Sequence, residues 1–176
     1  MNTPLLGVRL LVERNIFGSL SGFLSSVSSL AEWQPSWQKP ASCEFYLALM
    51  VWYEQSRNHQ AHIERPQRHA GCPHRDCLCG YYAYTDIAAF KSAQGETYKP
   101  TVAVLVEAAG KYVLHKTGLR AAEMRVLAFL DSNTNYHKAL AAAQLHVDEI
   151  PWWTANKMVE TSRQQADLLT QAQPDY

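Results

Sequence analysis

Residues 102–130, VAVLVEAAGKYVLHKTGLRAAEMRVLAFL, decide the fold class of this chain. Their Val, Leu and aromatic content predicts three strands, Val102–Ala108, Tyr112–His115 and Leu119–Leu130. The tripeptide Lys116-Thr117-Gly118 favours a β-hairpin between the last two, with Gly118 as the left-handed residue of a three-residue loop. A two-residue loop would shift the pairing by one position. The centre of the protein is therefore predicted to be an antiparallel sheet.

The flanking segments add one strand and several helices. The residues Leu5–Glu13 read as a strand, and Thr85 or Asp86 as the N-cap of a helix over Ile87–Ser92 that Gly95 closes. A helical region is expected after Asn135, and a last helix from Pro151 to about Gln171. The prediction is an α+β protein: a small antiparallel sheet, a central loop rich in Cys and His, and C-terminal helices. We expect an α+β domain over residues 1–148, with that loop at 65–80, and a C-terminal helix and tail over 149–176.

Composition and charge narrow the class of protein. The 176 residues suit one domain, and Lys+Arg and Asp+Glu both number 16, so the formal net charge is zero. A neutral chain argues against nucleic acid as the main partner, because phosphate neutralisation supplies much of that affinity. Three of the four cysteines lie within eight residues, which suits a metal site better than a disulfide framework. We expect a cytoplasmic protein with no membrane partner.

The central loop carries the densest chemistry in the sequence. Zinc favours four thiolate and imidazole ligands, and a short loop crossed by such residues can wrap around the ion. A structural Zn²⁺ is therefore predicted, while the C-x-C spacing, tighter than the usual knuckle, leaves ordinary thiols with solvated histidines as the alternative. Redox use is disfavoured because the C-x-x-C spacing is missing. The candidate ligands are Cys43, His69, Cys72, His74, Cys77 and Cys79.

Three polar residues of the predicted three-strand segment form a candidate ligand-binding set, namely Glu107, His115 and Arg120. A carboxylate, an imidazole and a guanidinium together can serve acid–base chemistry or bind a phosphate-bearing ligand. Strand alternation puts Arg120 on the apolar face of Met124 and Val126, where a charge needs a partner and Glu107 is a candidate. A structural ion pair is the simpler interpretation, so no catalytic residue is assigned.

Two adjacent tryptophans begin the last predicted helix. Trp152 and Trp153 cannot share one face, because successive helical residues point about 100° apart. We expect Trp152 to pack on the sheet and Trp153 to lie at an interface with a host protein or a second copy of the chain.

Three short motifs resemble those of a group of uncharacterised bacterial and phage proteins. They are Cys77–Ala83, Val106–Lys111 and His115–Ala121, which are similar to the group's C-x-C-G-[IY]-Y, V-E-x-x-G-[RK] and H-x-x-G-[YWL]-R-A elements. The likeness spans roughly residues 5–150. Leu114 stands where the group often has Glu, which weakens a catalytic interpretation, and the loop before C-x-C is longer here. The resemblance implies a phage or mobile-element origin and no particular activity.

Two main functions and one further alternative follow. The first is a non-enzymatic binding or regulatory protein that acts through protein–protein contact and has a structural zinc site. The alternative is a small enzyme or phosphate-ligand-binding protein that uses the three hairpin residues. Nucleic-acid binding through the basic Cys/His loop is the further alternative, since a local patch suffices. Nucleophile-elbow, Walker and dinucleotide-binding motifs are absent from the sequence.

Overall fold

The structure is a computed structural model, and it describes residues 4–14, 23–26, 72–73, 80–95, 101–130 and 146–171. Within these ranges it confirms an α+β fold, in which six strands form one sheet and two helices accompany it. The strands are β1 (Leu5–Arg14), β2 (Phe23–Ser26), β3 (Tyr81–Tyr84), β4 (Thr101–Leu114), β5 (Gly118–Leu130) and β6 (Glu149–Ile150). The helices are α1 (Ile87–Gly95) and α2 (Trp152–Gln171).

The sheet curls so that four of its strands form a ring. β4 pairs with β1 on one side and with β5 on the other, and β3 pairs with β5. The ring closes where β3 also reaches β1, at the pair Val8 and Tyr84. All these pairings are antiparallel, while β6 adds a short parallel pairing at the end of β5. The sheet predicted from the sequence is therefore confirmed, with one parallel neighbour.

The prediction of separate strands over Val102–Ala108 and Tyr112–His115 is wrong, because β4 runs without a break from Thr101 to Leu114. Ala109 pairs with Glu123 and Tyr112 with Ala121, so Gly110 and Lys111 together face a single residue of β5. Gly110 has a φ of 70°, which glycine adopts at little cost. Gly110, which lies between the two predicted strands, thus forms part of a β-bulge within one strand.

The hairpin turn also differs from its prediction. Leu114 pairs with Leu119, and the His115 amide donates to the Gly118 carbonyl over 2.7 Å, so the loop is the two residues 116–117. Gly118 does not have a positive φ, unlike Gly80 and Gly110. It is required for a steric reason: a β-carbon there would lie 2.5 Å from the Ala83 carbonyl oxygen. Close packing of β3 on the hairpin, rather than turn geometry, explains this glycine.

Buried side chains form a core on each face of the sheet. Alternate residues of β1 divide between the two cores, since Leu6 and Val8 lie in one, whereas Leu5 and Leu11 lie in the other. The first core also contains Phe90 of α1 together with Ala155 and Val159 of α2. Both helices therefore contribute to this core together with β1, while Ala166 of α2 lies in the other core.

Each helix begins where its sequence predicts. The Asp86 carboxylate accepts the amides of Ala88 and Ala89 over 2.8 and 3.1 Å, which identifies Asp86 as the N-cap of α1. Pro151 immediately precedes α2, which ends at Gln171 as predicted. Within the described residues, neither helix is long and apolar enough to cross a membrane.

Candidate functional site

The outer face of α2 exposes several large apolar side chains, and the way α2 docks on the sheet decides which ones they are. Ser162 is buried, and its hydroxyl accepts the Leu6 amide over 2.8 Å and donates to the Pro4 carbonyl over 3.0 Å. These bonds join the middle of α2 to the start of β1 and satisfy backbone groups at the margin of the sheet. Because Ala155, Val159 and Ser162 face the sheet, the opposite side of α2 faces solvent.

The two tryptophans lie in different environments, as their spacing predicts. The Trp152 ring packs in the core against Phe90, with 5.4 Å between the ring centroids, and the Lys91 ammonium lies 5.8 Å above it. The neighbouring Trp153 is 72% exposed. Trp152 is thus part of the fold, whereas Trp153 leaves a large apolar ring in contact with water.

Trp153 belongs to a wider apolar surface. Of the large apolar side chains that the described residues expose, three lie on α2, namely Trp153, Met158 and Leu168. An open groove of about 330 Å³ runs between this side of α2 and the start of β1. Among the described residues of its lining, Lys157 carries the one charge. The lining consists of Pro4, Leu6, Trp153, Thr154, Lys157, Met158, Thr161, Ser162 and Gln165.

The hairpin brings together two of the three predicted ligand-binding residues. The Arg120 Nε donates to the His115 Nε2 over 2.9 Å, so this ring nitrogen must be unprotonated. Burial lowers the pKa of His115, and the positive charge of Arg120 lowers it further. Only 5% of Arg120 is exposed to solvent. The pair is therefore a structural contact at the base of the hairpin, with little guanidinium surface left for a ligand.

Glu107, the third predicted residue, lies elsewhere. Its carboxylate accepts from Arg125 across the sheet at 2.6 and 2.7 Å, so the proposed pairing of Glu107 with Arg120 is wrong. Glu107 and His115 are eight residues apart in the chain, which corresponds to roughly 25 Å of extended strand. Glu107 therefore does not share a small-molecule site with His115 and Arg120.

The face predicted for Arg120 is also wrong. Arg120 stands between Leu119 and Ala121, which belong to the same core as Met124 and Val126. Alternation therefore places Arg120 on the other face of the sheet from those residues. The strict alternation assumed from the sequence fails between Ala121 and Met124, opposite the β-bulge.

A hydrogen-bond network at the hairpin loop, which the sequence did not indicate, connects three elements. The Thr117 carbonyl accepts the amides of Thr85 and Asp86 over 3.0 and 3.2 Å. From α2, the Arg163 guanidinium donates to the Thr85 hydroxyl and to the Lys116 carbonyl over 3.2 and 3.0 Å. The network fastens α2 to the hairpin and thereby fixes which side of the helix is exposed. Its partners are distant in the chain, so no local pattern could have identified them.

Of the predicted zinc ligands, Cys72 is the one that the structure describes. Cys72 is buried, and Pro73, which follows it, packs against the chain at Gly80: a β-carbon built on Gly80 would lie 3.0 Å from the Pro73 Cβ. Pro73 and Gly80 are therefore in close contact. The described residues contain no group of three or more metal-ligating side chains. The other candidates, Cys43, His69, His74, Cys77 and Cys79, lie outside the described residues.

A buried arginine lies close to this part of the sheet. The Arg9 guanidinium donates to the Tyr82 carbonyl, and burial lowers the pKa of Arg9 to about 10 despite the opposing effect of Tyr81. Burial in turn raises the pKa of Tyr81, although Arg9 counteracts the rise. At neutral pH Arg9 is thus a cation and Tyr81 a neutral phenol. Arg9 belongs to β1 and Tyr81 to β3, so both residues are part of the sheet.

Comparison of the chain with protein-family models, curated proteins and solved structures finds no match. The geometry of the described residues is therefore the basis for a functional proposal.

Proposed function

We propose that the protein is a non-enzymatic binding or regulatory protein that acts through protein–protein contact, and that the outer face of α2 is its contact surface. The observation that carries the proposal is the 72% exposure of Trp153 beside an apolar groove. Exposed aromatic rings in a largely uncharged surface are characteristic of the centres of protein interfaces. The phage or mobile-element origin implied by the three motifs is part of this proposal, as is a cytoplasmic location.

The hairpin residues support this proposal over a small-molecule site. Arg120 is buried against His115, and Glu107 is engaged by Arg125 on another part of the sheet. None of the three lines the groove beside α2. Ion pairs and hydrogen bonds of this kind hold strands together without leaving a reactive group open to a substrate.

A structural zinc ion in the Cys/His loop stays part of the proposal as a prediction from the sequence. Its support is the crowding of thiols and imidazoles in the sequence, since zinc favours four ligands of these two kinds.

The two tryptophans provide the test. Trp153→Ala should weaken association by at least about 30-fold, corresponding to about 2 kcal/mol for an interface anchor, and should leave the melting temperature nearly unchanged. Trp152→Ala should lower the melting temperature, because the substitution leaves a cavity beside Phe90. Light scattering and calorimetric titration of a purified partner measure association, and thermal melts measure folding. A sharp drop in the melting temperature of Trp153→Ala, with association unchanged, would show that the ring serves the fold and would refute the proposal.

A further inference from the structure

One edge of β4 has no neighbouring strand in the part of the chain that the structure describes. β1 pairs with β4 as far as Leu5 and Ala108, and Pro4, which has no amide hydrogen to donate, stands where the next pairing would fall. Further along β4, Tyr112 keeps 44% of its surface in contact with water. Residues 110–114 are therefore an open edge of β4, with β5 on one side and solvent on the other.

The hydrogen-bond pattern of the hairpin determines which main-chain groups face this open edge. The His115 amide donates to the Gly118 carbonyl, so these two residues form a hydrogen-bonded pair. Successive antiparallel partners alternate between hydrogen-bonded and non-hydrogen-bonded pairs. Leu114 and Tyr112 therefore belong to non-hydrogen-bonded pairs with β5, whereas Val113 between them belongs to a hydrogen-bonded one. The amide and carbonyl groups of Tyr112 and Leu114 consequently point away from β5 into the open edge.

We infer that the open edge of β4 is a second contact surface, which binds an extended acidic segment of a partner protein by strand addition. Unpaired amide and carbonyl groups on a strand edge are a template for a further strand, and main-chain hydrogen bonds supply the affinity of such complexes. This surface goes beyond the proposed function, because residues 110–114 contribute nothing to the groove beside Trp153.

The charges around the open edge favour an acidic segment. Lys111 and Lys116, one near each end of the edge, are exposed, and no acidic residue stands between them in the sequence. The acidic groups nearby are placed elsewhere: Glu107 forms an ion pair across the sheet, Glu123 lies on β5, and the Asp86 carboxylate caps α1. A partner strand with carboxylates at both ends can therefore pair with both ammonium groups.

The same charges disfavour a second copy of the chain as the occupant. Two copies joined edge to edge about Val113 would set Lys111 of each copy beside His115 of the other. Neither Lys111 nor Lys116 would then meet a carboxylate. A lysine on a strand edge is also a common device by which proteins avoid pairing with copies of themselves.

Hydrogen exchange of the full chain tests whether the edge is open. The amides of Tyr112 and Leu114 should exchange rapidly, whereas those of Val113 and His115, which bond to β5, should exchange slowly. The probe is a short peptide of alternating Val and Thr with two Glu at each end, and its control is the same peptide with Lys in place of Glu. The acidic peptide should slow exchange at Tyr112 and Leu114 and leave Val113 and His115 unchanged.

Fluorescence anisotropy of the labelled peptides measures affinity, with a thermal melt for each variant. The acidic peptide should bind at least about tenfold more tightly than the basic one, because each end changes from repulsion to attraction. Lys111→Glu should remove most of this preference, whereas Lys91→Glu, the same substitution on α1, should leave it unchanged. Tyr112→Pro removes an amide that does not bond to β5 and should weaken binding at least about tenfold. Tyr112→Thr keeps that amide and should bind nearly as tightly as the wild type.

Three results would overturn the inference. Slow exchange at Tyr112 and Leu114 in the free chain would show that the edge is already covered. A dimer that Tyr112→Pro dissociates would assign the edge to a second copy. Failure to bind either peptide, or equal binding of both, would exclude an acidic strand. None of these results involves Trp153, so the proposed function is tested separately by Trp153→Ala.

Discussion

Ser162→Ala should destabilise the protein more than any other single loss of a hydroxyl from the described part of α2. The hydroxyl is the partner of the buried Leu6 amide and also donates to the Pro4 carbonyl. Its removal leaves a buried N–H without an acceptor, and a group left in that state costs about 1–3 kcal/mol. For a chain of 176 residues this corresponds to a fall in melting temperature of roughly 2–4 °C per kcal/mol.

The matched control is Thr161→Ala, which removes a hydroxyl from the adjacent, exposed position of the same helix and should change the free energy of unfolding by less than about 0.5 kcal/mol. Urea denaturation of both variants gives the two free energies, and hydrogen exchange should show faster exchange of the Leu6 amide in Ser162→Ala alone. If both variants were equally stable and the Leu6 amide stayed equally protected, then Ser162 would not anchor α2 to the sheet.

Three further predictions test the hairpin and the loop. Gly118→Ala should cost at least about 1 kcal/mol by denaturation, because its β-carbon would lie 2.5 Å from the Ala83 carbonyl oxygen; normal stability would show that β3 packs less closely there. Burial lowers the pKa of His115, so the unfolded chain holds that proton more tightly. The stability that neutral His115 contributes to the folded protein is fully present above the unfolded pKa of about 6.5. It is lost as the pH falls through that value toward the lower folded-state pKa. Denaturation at several pH values should show this loss in wild type and not in His115→Gln, and equal pH profiles would refute it. We predict a zinc site with Cys77 and Cys79 among its ligands, so elemental analysis should find close to one zinc per chain. Metal-free protein with an unchanged melting temperature would exclude the site.

Much of the fold could be predicted because the signals are local. β1 and the hairpin follow from runs of Val and Leu, and the start of α1 follows from the capping residues before it, although the sequence left Thr85 and Asp86 as alternatives. The separation of Trp152 from Trp153 follows from helical geometry alone. Each of these features depends on residues within a few positions of one another, so the chain carries the information without reference to its tertiary contacts.

The candidate ligand-binding set was less predictable because strand alternation is a rule for regular strands. The β-bulge at Gly110 keeps β4 continuous. Opposite the bulge, the alternation of β5 side chains between the two faces of the sheet shifts by one residue. Arg120 thereby lies on the face opposite to the predicted one, and Glu107 pairs with Arg125. A single glycine with a positive φ is enough to invalidate an argument from period-two spacing.

By itself, then, the sequence determined the class of fold, the hairpin and the limits of the last helix. It also determined that Trp152 and Trp153 lie on different faces of that helix. Tertiary structure alone decided which polar groups meet. Ser162 and Leu6 are 156 residues apart, and Arg163 reaches a hairpin loop 47 residues away. Such contacts depend on how the sheet curls and where the helix docks, and both result from the packing of the whole core rather than from the preference of any one segment. The exposed side of α2, on which the proposed function depends, is a consequence of that docking.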